Sequence, residues 1–183
     1  GTMMQPYIDC ALKLRARGIA PEAISGIVCE TAEGFVHRLW EPLGDKQAPA
    51  NGYAAKFSVP YGIAVGLIEG GAGLAAFDEQ LVRDPRLTAL ARKVTYVVDP
   101  DHPYPRRYTG HLEATLVDGR VIEERQPHLR GGVAEPLSAA EIEAKFQANC
   151  RHGGWSGARA DAARTLIHNL PGATGVSLAA LRG

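Results

Sequence analysis

Ser58, Pro60 and Tyr61 stand within four consecutive positions, just after Lys56. If Ser58 caps a helix, Pro60 falls in its first turn, where a missing N–H has no intrahelical partner to lose. Tyr61 is then held at a helix N-terminus. A phenol with an ordinary pKa near ~10 donates a proton or a hydrogen bond at neutral pH, to a substrate carboxylate or a developing enolate. The partial positive charge of the helix end favours an anion beside it and is expected to ease loss of the phenolic proton. The plain alternative is a core tyrosine on the buried face of that helix. The neighbouring groups are open in the same way. Ser58 is a cap or a ligand hydroxyl, and Lys56 is a carboxylate attractor or ordinary surface. Arg130, beside Gly131-Gly132, is a bidentate carboxylate clamp on a loop or a solvated arginine.

The elements that must position these groups follow from periodicity. Tyr7, Ile8, Ala11 and Leu12 recur at helical spacing, and Gly18 supplies a stop. Ile24 to Thr31 reads as a strand, and Pro42 to Gly52 as a loop. From Ser58, the residues Tyr61, Ala64, Val65 and Ile68 define a helix face closed by Gly70-Gly71. A short helix follows Asp84-Pro85, and Val94 to Val98 is a strand. Strands Tyr108–Val117 and Arg120–Glu124 flank Asp118-Gly119, a pair favoured by two-residue type I′ hairpins. Leu112, Ala114 and Leu116 alternate with His111, Glu113 and Thr115, so one sheet face is expected to be covered. Ser138 to Glu141 fits a capping box, and Ser156 can cap a further helix carrying Ala162, Ala163, Leu166, Ile167 and Leu170. The expected class is α+β, a largely antiparallel sheet with packed helices in residues 1–137, followed by a helical segment in residues 138–183.

Composition excludes several functions. The 183 residues carry 20 basic and 20 acidic side chains and a formal net charge of zero, without a block of one sign. Nothing here provides the electrostatic footprint of a nucleic-acid or polybasic membrane binder. The weakly polar run from Val59 to Leu67 is far short of the ~20 apolar residues a spanning helix needs. No secretory leader is visible, Gly1-Thr2 ahead of Met3-Met4 reads as an expression remnant, and the expected compartment is cytoplasmic. Cys10, Cys29 and Cys150 lie far apart with no histidine at ligand spacing, so they are expected to be buried thiols. His37, His111, His128, His152 and His168 share no spacing that suggests a metal, and His102 with Arg106-Arg107 is assigned to the surface.

By themselves these motifs lead to a cytosolic α+β domain. Two stretches go further: Pro6-Tyr7-Ile8-Asp9 leading into Ala11-Leu12-Lys13-Leu14, and Ala55-Lys56-Phe57-Ser58-Val59-Pro60-Tyr61 closing with Glu69-Gly70. With Asp84-Pro85, Lys93-Val94, Asp118-Gly119, Gly131-Gly132, Pro136-Leu137-Ser138 and Lys145-Phe146 in order, the chain resembles the C-terminal part of the MmgE/PrpD enzymes. The resemblance implies cofactor-independent lyase or isomerase chemistry on small di- or tricarboxylates, of the 2-methylcitrate dehydratase or cis-aconitate decarboxylase kind, without metal. It implies an α+β lid up to about Leu137 and C-terminal helices that return to a helical domain. It makes Tyr61, and only Tyr61, the catalytic candidate; Ser58, Lys56 and Arg130 stay substrate-binding candidates on their residue types alone. It also implies a partner, the N-terminal helical domain of the same enzyme, without which the isolated chain is expected to be inactive. Whether the chain is an enzyme by itself stays open, and the alternative is a non-catalytic α+β module binding a small anion or a protein. The apolar tail makes homodimerisation a further expectation.

Overall fold

The computed structural model describes residues 1–172 and divides them into two compact units, 1–137 and 138 onward.

The first unit opens with helix α1 (Gln5–Ala16), whose chain reverses at Gly18 with φ of 76°. Strand β1 (Ile24–Thr31) follows, as its Ile- and Val-rich run predicts. Two short elements come next, α2 (Glu33–Phe35) and a wide turn at Val36–Trp40. The stretch expected as a plain loop contains helix α3 (Leu43–Gln47), and helix α4 (Gly52–Ala55) begins at its end. A single turn of helix has too little periodicity to read, and α4 is nucleated by Asn51, whose Oδ1 accepts the Ala54 amide at 2.8 Å. Helix α5 (Val59–Glu69) ends at Gly70, which adopts the left-handed φ of 76° that favours glycine. Then come α6 (Glu79–Val82), α7 (Pro85–Ala91), β2 (Val94–Val98), β3 (Gly110–Leu116) and β4 (Val121–Gln126).

The sheet order is β2-β1-β3-β4. Both β1–β3 and β3–β4 are antiparallel, so the sheet is largely antiparallel as expected. The β1–β2 pair is parallel, with Cys29 opposite Tyr96. The reason is connectivity: the chain between them is a long helical crossover, which returns to the same end of the sheet.

The β3–β4 turn differs from the two-residue expectation. Leu116 N–H donates to the Arg120 carbonyl at 2.8 Å, and Gly119 N–H to the Leu116 carbonyl at 3.0 Å. Gly119 alone has positive φ, 86°. A type I′ turn needs positive φ at both central residues, which Asp118 does not supply. The hairpin is therefore a three-residue loop with glycine in its left-handed position.

Leu112, Ala114 and Leu116 are buried, whereas His111, Glu113 and Thr115 lie on the wetter face. Helix α1 covers β3 and β4, α5 packs on α1, and α7 packs on α5. Tyr7, at the centre, donates its hydroxyl toward the Glu30 carbonyl at 3.0 Å and Thr31 Oγ1 at 3.1 Å. Trp40 Nε1 donates to the same Thr31 oxygen at 2.9 Å. These large rings thus enter the core without an orphaned polar atom.

The second unit holds α8 (Ala139–His152) and α9 (Gly157–Asn169). The expected capping box is present: Ser138 Oγ accepts the Glu141 amide and Glu141 Oε2 accepts the Ser138 amide at 2.8 Å. Ser156 caps α9. Ala160 and Ala163 are buried, while Ile142, Ile167 and Leu170 are exposed. An apolar groove runs between the two helices, lined by Ile142, Phe146 and Ile167 and crossed by the Arg164–Glu143 ion pair at 3.0 Å. Among the described residues no helix is long and apolar enough to cross a membrane. The tail's last residues, 173–183, lie outside the described residues.

Gly110 is where β3 meets the backbone of α1. A Cβ there would stand 2.5 Å from the Pro6 carbonyl carbon and oxygen. Gly110→Ala is therefore expected to cost about 1–3 kcal/mol, measured by denaturant unfolding, and an unchanged midpoint would contradict this packing.

Candidate functional site

Ser58 is the N-cap of α5, as its spacing predicts. Its Oγ accepts the Tyr61 amide at 3.0 Å and donates to the Lys46 carbonyl. The cap thereby joins α5 to the end of α3. Ser58 is fully buried, so its hydroxyl serves the backbone in this conformation. Val59 and Pro60 fill the first turn, and Tyr61 follows.

Tyr61 is 1% exposed, and its hydroxyl donates to the Ala76 carbonyl at 2.6 Å. Ala76 belongs to a single helical turn, Leu74–Phe77, which is pressed against α4. Gly52 leaves room for it: a Cβ on Gly52 would fall 2.0 Å from the Phe77 carbonyl oxygen. The Gly52 amide also donates to Glu79 Oε1 at 2.9 Å. The phenol is pushed up to about 12, first by burial and then by the negative charges of Glu69, Asp84 and Asp78. This corrects the expectation of an easier ionisation. Desolvation of the phenolate outweighs the partial charge of the helix end, because the hydroxyl is buried against a backbone carbonyl and the charges that act on it are carboxylates. Tyr61 is thus a donor held in its protonated form.

Lys56 is exposed at the end of α4, and its carbonyl oxygen lies 3.5 Å from where a Cβ on Gly1 would stand. A Cβ on Gly62, in the first turns of α5, would meet Met4 Cε at 2.7 Å. Next to Met4, Gln5 donates through Nε2 to the Arg130 carbonyl at 2.8 Å. The start of α1 therefore lies between the N-terminal end of α5 and the Arg130 loop. Arg130 Nη1 stands 4.0 Å from Asp9 Oδ1, and the loop turns at Gly131 with φ of 89°. Ser58 and Tyr61 share one local network, Arg130 joins α1 through another, and Lys56 lies at the edge.

A second polar cluster was not assigned from sequence. Glu30, Asp99, His102, Arg107, Thr109, His111 and Arg125 line a cleft of about 220 Å3 at one end of the sheet. His111 Nε2 pairs with Glu123 at 2.9 Å; its Nδ1 is 3.0 Å from Glu30 Oε2 but lacks hydrogen-bond alignment. Arg125 bridges Glu123 at 2.6 Å and Glu30 at 3.4 Å. His102 Nδ1 accepts the Tyr104 amide at 3.2 Å, and burial lowers its pKa, so this ring is neutral. Acids and bases here largely answer one another. No spacing could have signalled the cluster, since its members come from β1, β3, β4 and the Pro-rich loop.

The cysteines meet the expectation of buried thiols: all three are free and buried, and burial pushes Cys10 up to about 12 and Cys29 well above the ordinary thiol range. Among the described residues no group of three or more His, Cys, Asp or Glu is placed to hold a metal ion.

An α+β unit whose helix N-terminus is capped by Ser58 and carries Tyr61 in its third position, followed by paired helices, defines the class. Residues 1–169 match the MmgE/PrpD C-terminal domain, and the chain belongs to that family. It is 32% identical over 120 residues to 2-methylcitrate dehydratase of Cupriavidus necator, covering 62% of this chain and 24% of that protein. It is 32% identical over 103 residues to cis-aconitate decarboxylase of Mus musculus, covering 55% of this chain and 21% of that protein. A 2-methylcitrate dehydratase-like protein of Aspergillus oryzae is 30% identical over 161 residues, 81% of this chain and 31% of its own length. The chain thus spans between a fifth and a third of these relatives.

The raised phenol pKa has a stability consequence. Below about pH 10 Tyr61 is protonated in both folded and unfolded chains and contributes no pH dependence. Between the ordinary value and about 12, only the unfolded chain ionises, so folding stability falls as pH rises. Tyr61→Phe is expected to flatten part of the stability loss above pH 10, read from denaturant unfolding at pH 8 to 11. An identical slope in the variant would show that the Tyr61 phenol titrates normally.

Proposed function

We propose that this chain is the C-terminal, lid-bearing part of a PrpD-like dehydratase or decarboxylase that acts on small di- or tricarboxylates. The reading is supported chiefly by the family match, together with the α5 N-terminus and the Arg130 loop each approaching the start of α1. Lys56 and Arg130 supply positive charge for substrate carboxylates, Arg130 as a bidentate fork and Lys56 as a point charge. Ser58 acts through the backbone, holding the helix end on which Tyr61 is mounted.

Tyr61 is the proton donor. A phenol with its pKa raised does not lose its proton to solvent at neutral pH, and it stays available to donate a hydrogen bond to an anion that takes the place of the Ala76 carbonyl. The leaving hydroxyl of a hydroxy acid, or the carbanion formed when carboxylate departs as carbon dioxide, is the natural recipient. The other half of the active site is supplied by the helical region that relatives carry, and the exposed Ile142, Ile167 and Leu170 are the surface offered to it.

In the enzyme assembled with that helical region, Tyr61→Phe is expected to lower kcat/KM on 2-methylcitrate or cis-aconitate by ~100-fold or more. Wild-type kcat/KM in the variant would return Tyr61 to a purely structural place in the core.

A further inference from the structure

The Tyr61 phenol is covered by a segment of the chain that follows its own helix. Residues 70–77 leave the end of α5 at Gly70 and fold back toward its start as a strap, in which Ala76 is buried and Leu74 is exposed. The far end of the strap meets Tyr61. There the Ala76 carbonyl accepts the phenolic hydroxyl at 2.6 Å, and the Phe77 ring centroid lies 6.2 Å from that of Tyr61. The one proton that Tyr61 has to donate is therefore committed to the protein's own backbone.

Among the described residues, no main-chain hydrogen bond joins 71–77 to another element. Ala76 N–H donates to the Gly73 carbonyl at 3.1 Å and Asp78 N–H to the Ala75 carbonyl at 3.2 Å, both within the segment before α6. Side chains fasten the far end instead: Tyr61 at Ala76 and, just beyond the strap, Glu79, whose Oε1 accepts the Gly52 amide at 2.9 Å. Ala72 and Phe77 are only partly buried against the core. The near end is free to turn, because Gly70 has the left-handed φ of 76° and a Cβ on Gly71 or Gly73 would meet nothing within 4 Å. A segment held by few buried contacts opens at a lower free energy than the helices beneath it.

We infer that this strap is a gate over Tyr61: the Ala76 carbonyl occupies the place of an incoming anion, and the phenol is presented only when residues 71–77 swing away about their glycines. The inference rests on the reading of Tyr61 as the proton donor. Opening frees the hydroxyl from a neutral carbonyl, and a carboxylate or developing enolate is the stronger acceptor that replaces it. An anion that needs the phenol thus selects the open form, and its apparent affinity is reduced by the fraction of chains that are open.

The gate is tested without substrate, so its failure and that of the proposed activity are distinguishable. Hydrogen–deuterium exchange of the Ala76 and Asp78 amides is followed by NMR in the 183-residue chain, with the Val65 to Leu67 amides of α5 as reference. Tyr61→Phe keeps the ring and removes the fastening hydroxyl; it is expected to speed exchange of Ala76 and Asp78 about fivefold or more while α5 is unchanged. Glu79→Ala releases the fastening at Gly52 and is expected to speed the same two amides. With the strap open more often, the Tyr61 phenol, otherwise pushed up to about 12, titrates lower in Glu79→Ala than in the wild type. Unchanged exchange in either variant, α5 amides accelerated to the same extent, or a phenol unmoved in Glu79→Ala would each overturn the gate. In the enzyme assembled with the helical region, Glu79→Ala is expected to lower KM by the factor by which it speeds exchange. A KM unmoved there, while Tyr61→Phe loses activity, would overturn it as well.

Discussion

Ser58 Oγ has two partners, the Tyr61 amide that it accepts and the Lys46 carbonyl to which it donates. The arrangement of the first unit depends on this pair. One bond satisfies an amide at the start of α5 that has no intrahelical acceptor, and the other ties the end of α3 to the same point. With the helix start fixed, Tyr61 can only extend toward Leu74–Phe77, where it finds the Ala76 carbonyl. With the helix axis fixed, Gly62 and Gly66 face α1 and let the two backbones approach. Removing the hydroxyl would leave one buried donor and one buried acceptor without partners, a larger loss than a surface cap entails.

Tyr61 and Asp9, on the two packed helices, are among the groups of this unit that burial holds against their ordinary solution preference. Tyr61 on α5 stays protonated because phenolate is poorly solvated there. Asp9 on α1 keeps a carboxylate where burial favours the acid. Both are displaced in the direction of holding a proton. The His102–His111 cleft differs: its charges are paired across β1, β3 and β4, as in a surface ion network.

Elements whose signal is local could be read directly from the residues. Strand β1 is bounded as its Ile/Val run suggests, the Ser58 cap makes Pro60 compatible with a helix, and Ser138 with Glu141 forms its box. Features that depend on what meets a residue in space could not. The parallel β1–β2 pairing follows from a long crossover, and the single turns around Leu43 and Gly52 lack a period. Tyr61 illustrates the limit at the site. Its place on the helix was legible, but its ionisation depends on Ala76, fifteen residues away, and on burial that no spacing encodes. Asp9 read as one polar position of an amphipathic helix because Arg130 is remote in sequence.

The proposed carboxylate-binding end is made by the α5 N-terminus, the start of α1 and the Arg130 loop. Titrating the chain with tricarballylate, a tricarboxylate with no hydroxyl to lose, while following backbone amide shifts tests it most directly. The amides of Lys56 to Tyr61 (Pro60 has none), of Met4 and Gln5, and of Arg130 to Gly132 are expected to move together with one saturation curve. Shifts confined to the His102–His111 cleft, or no shift at any of the three segments, would contradict it.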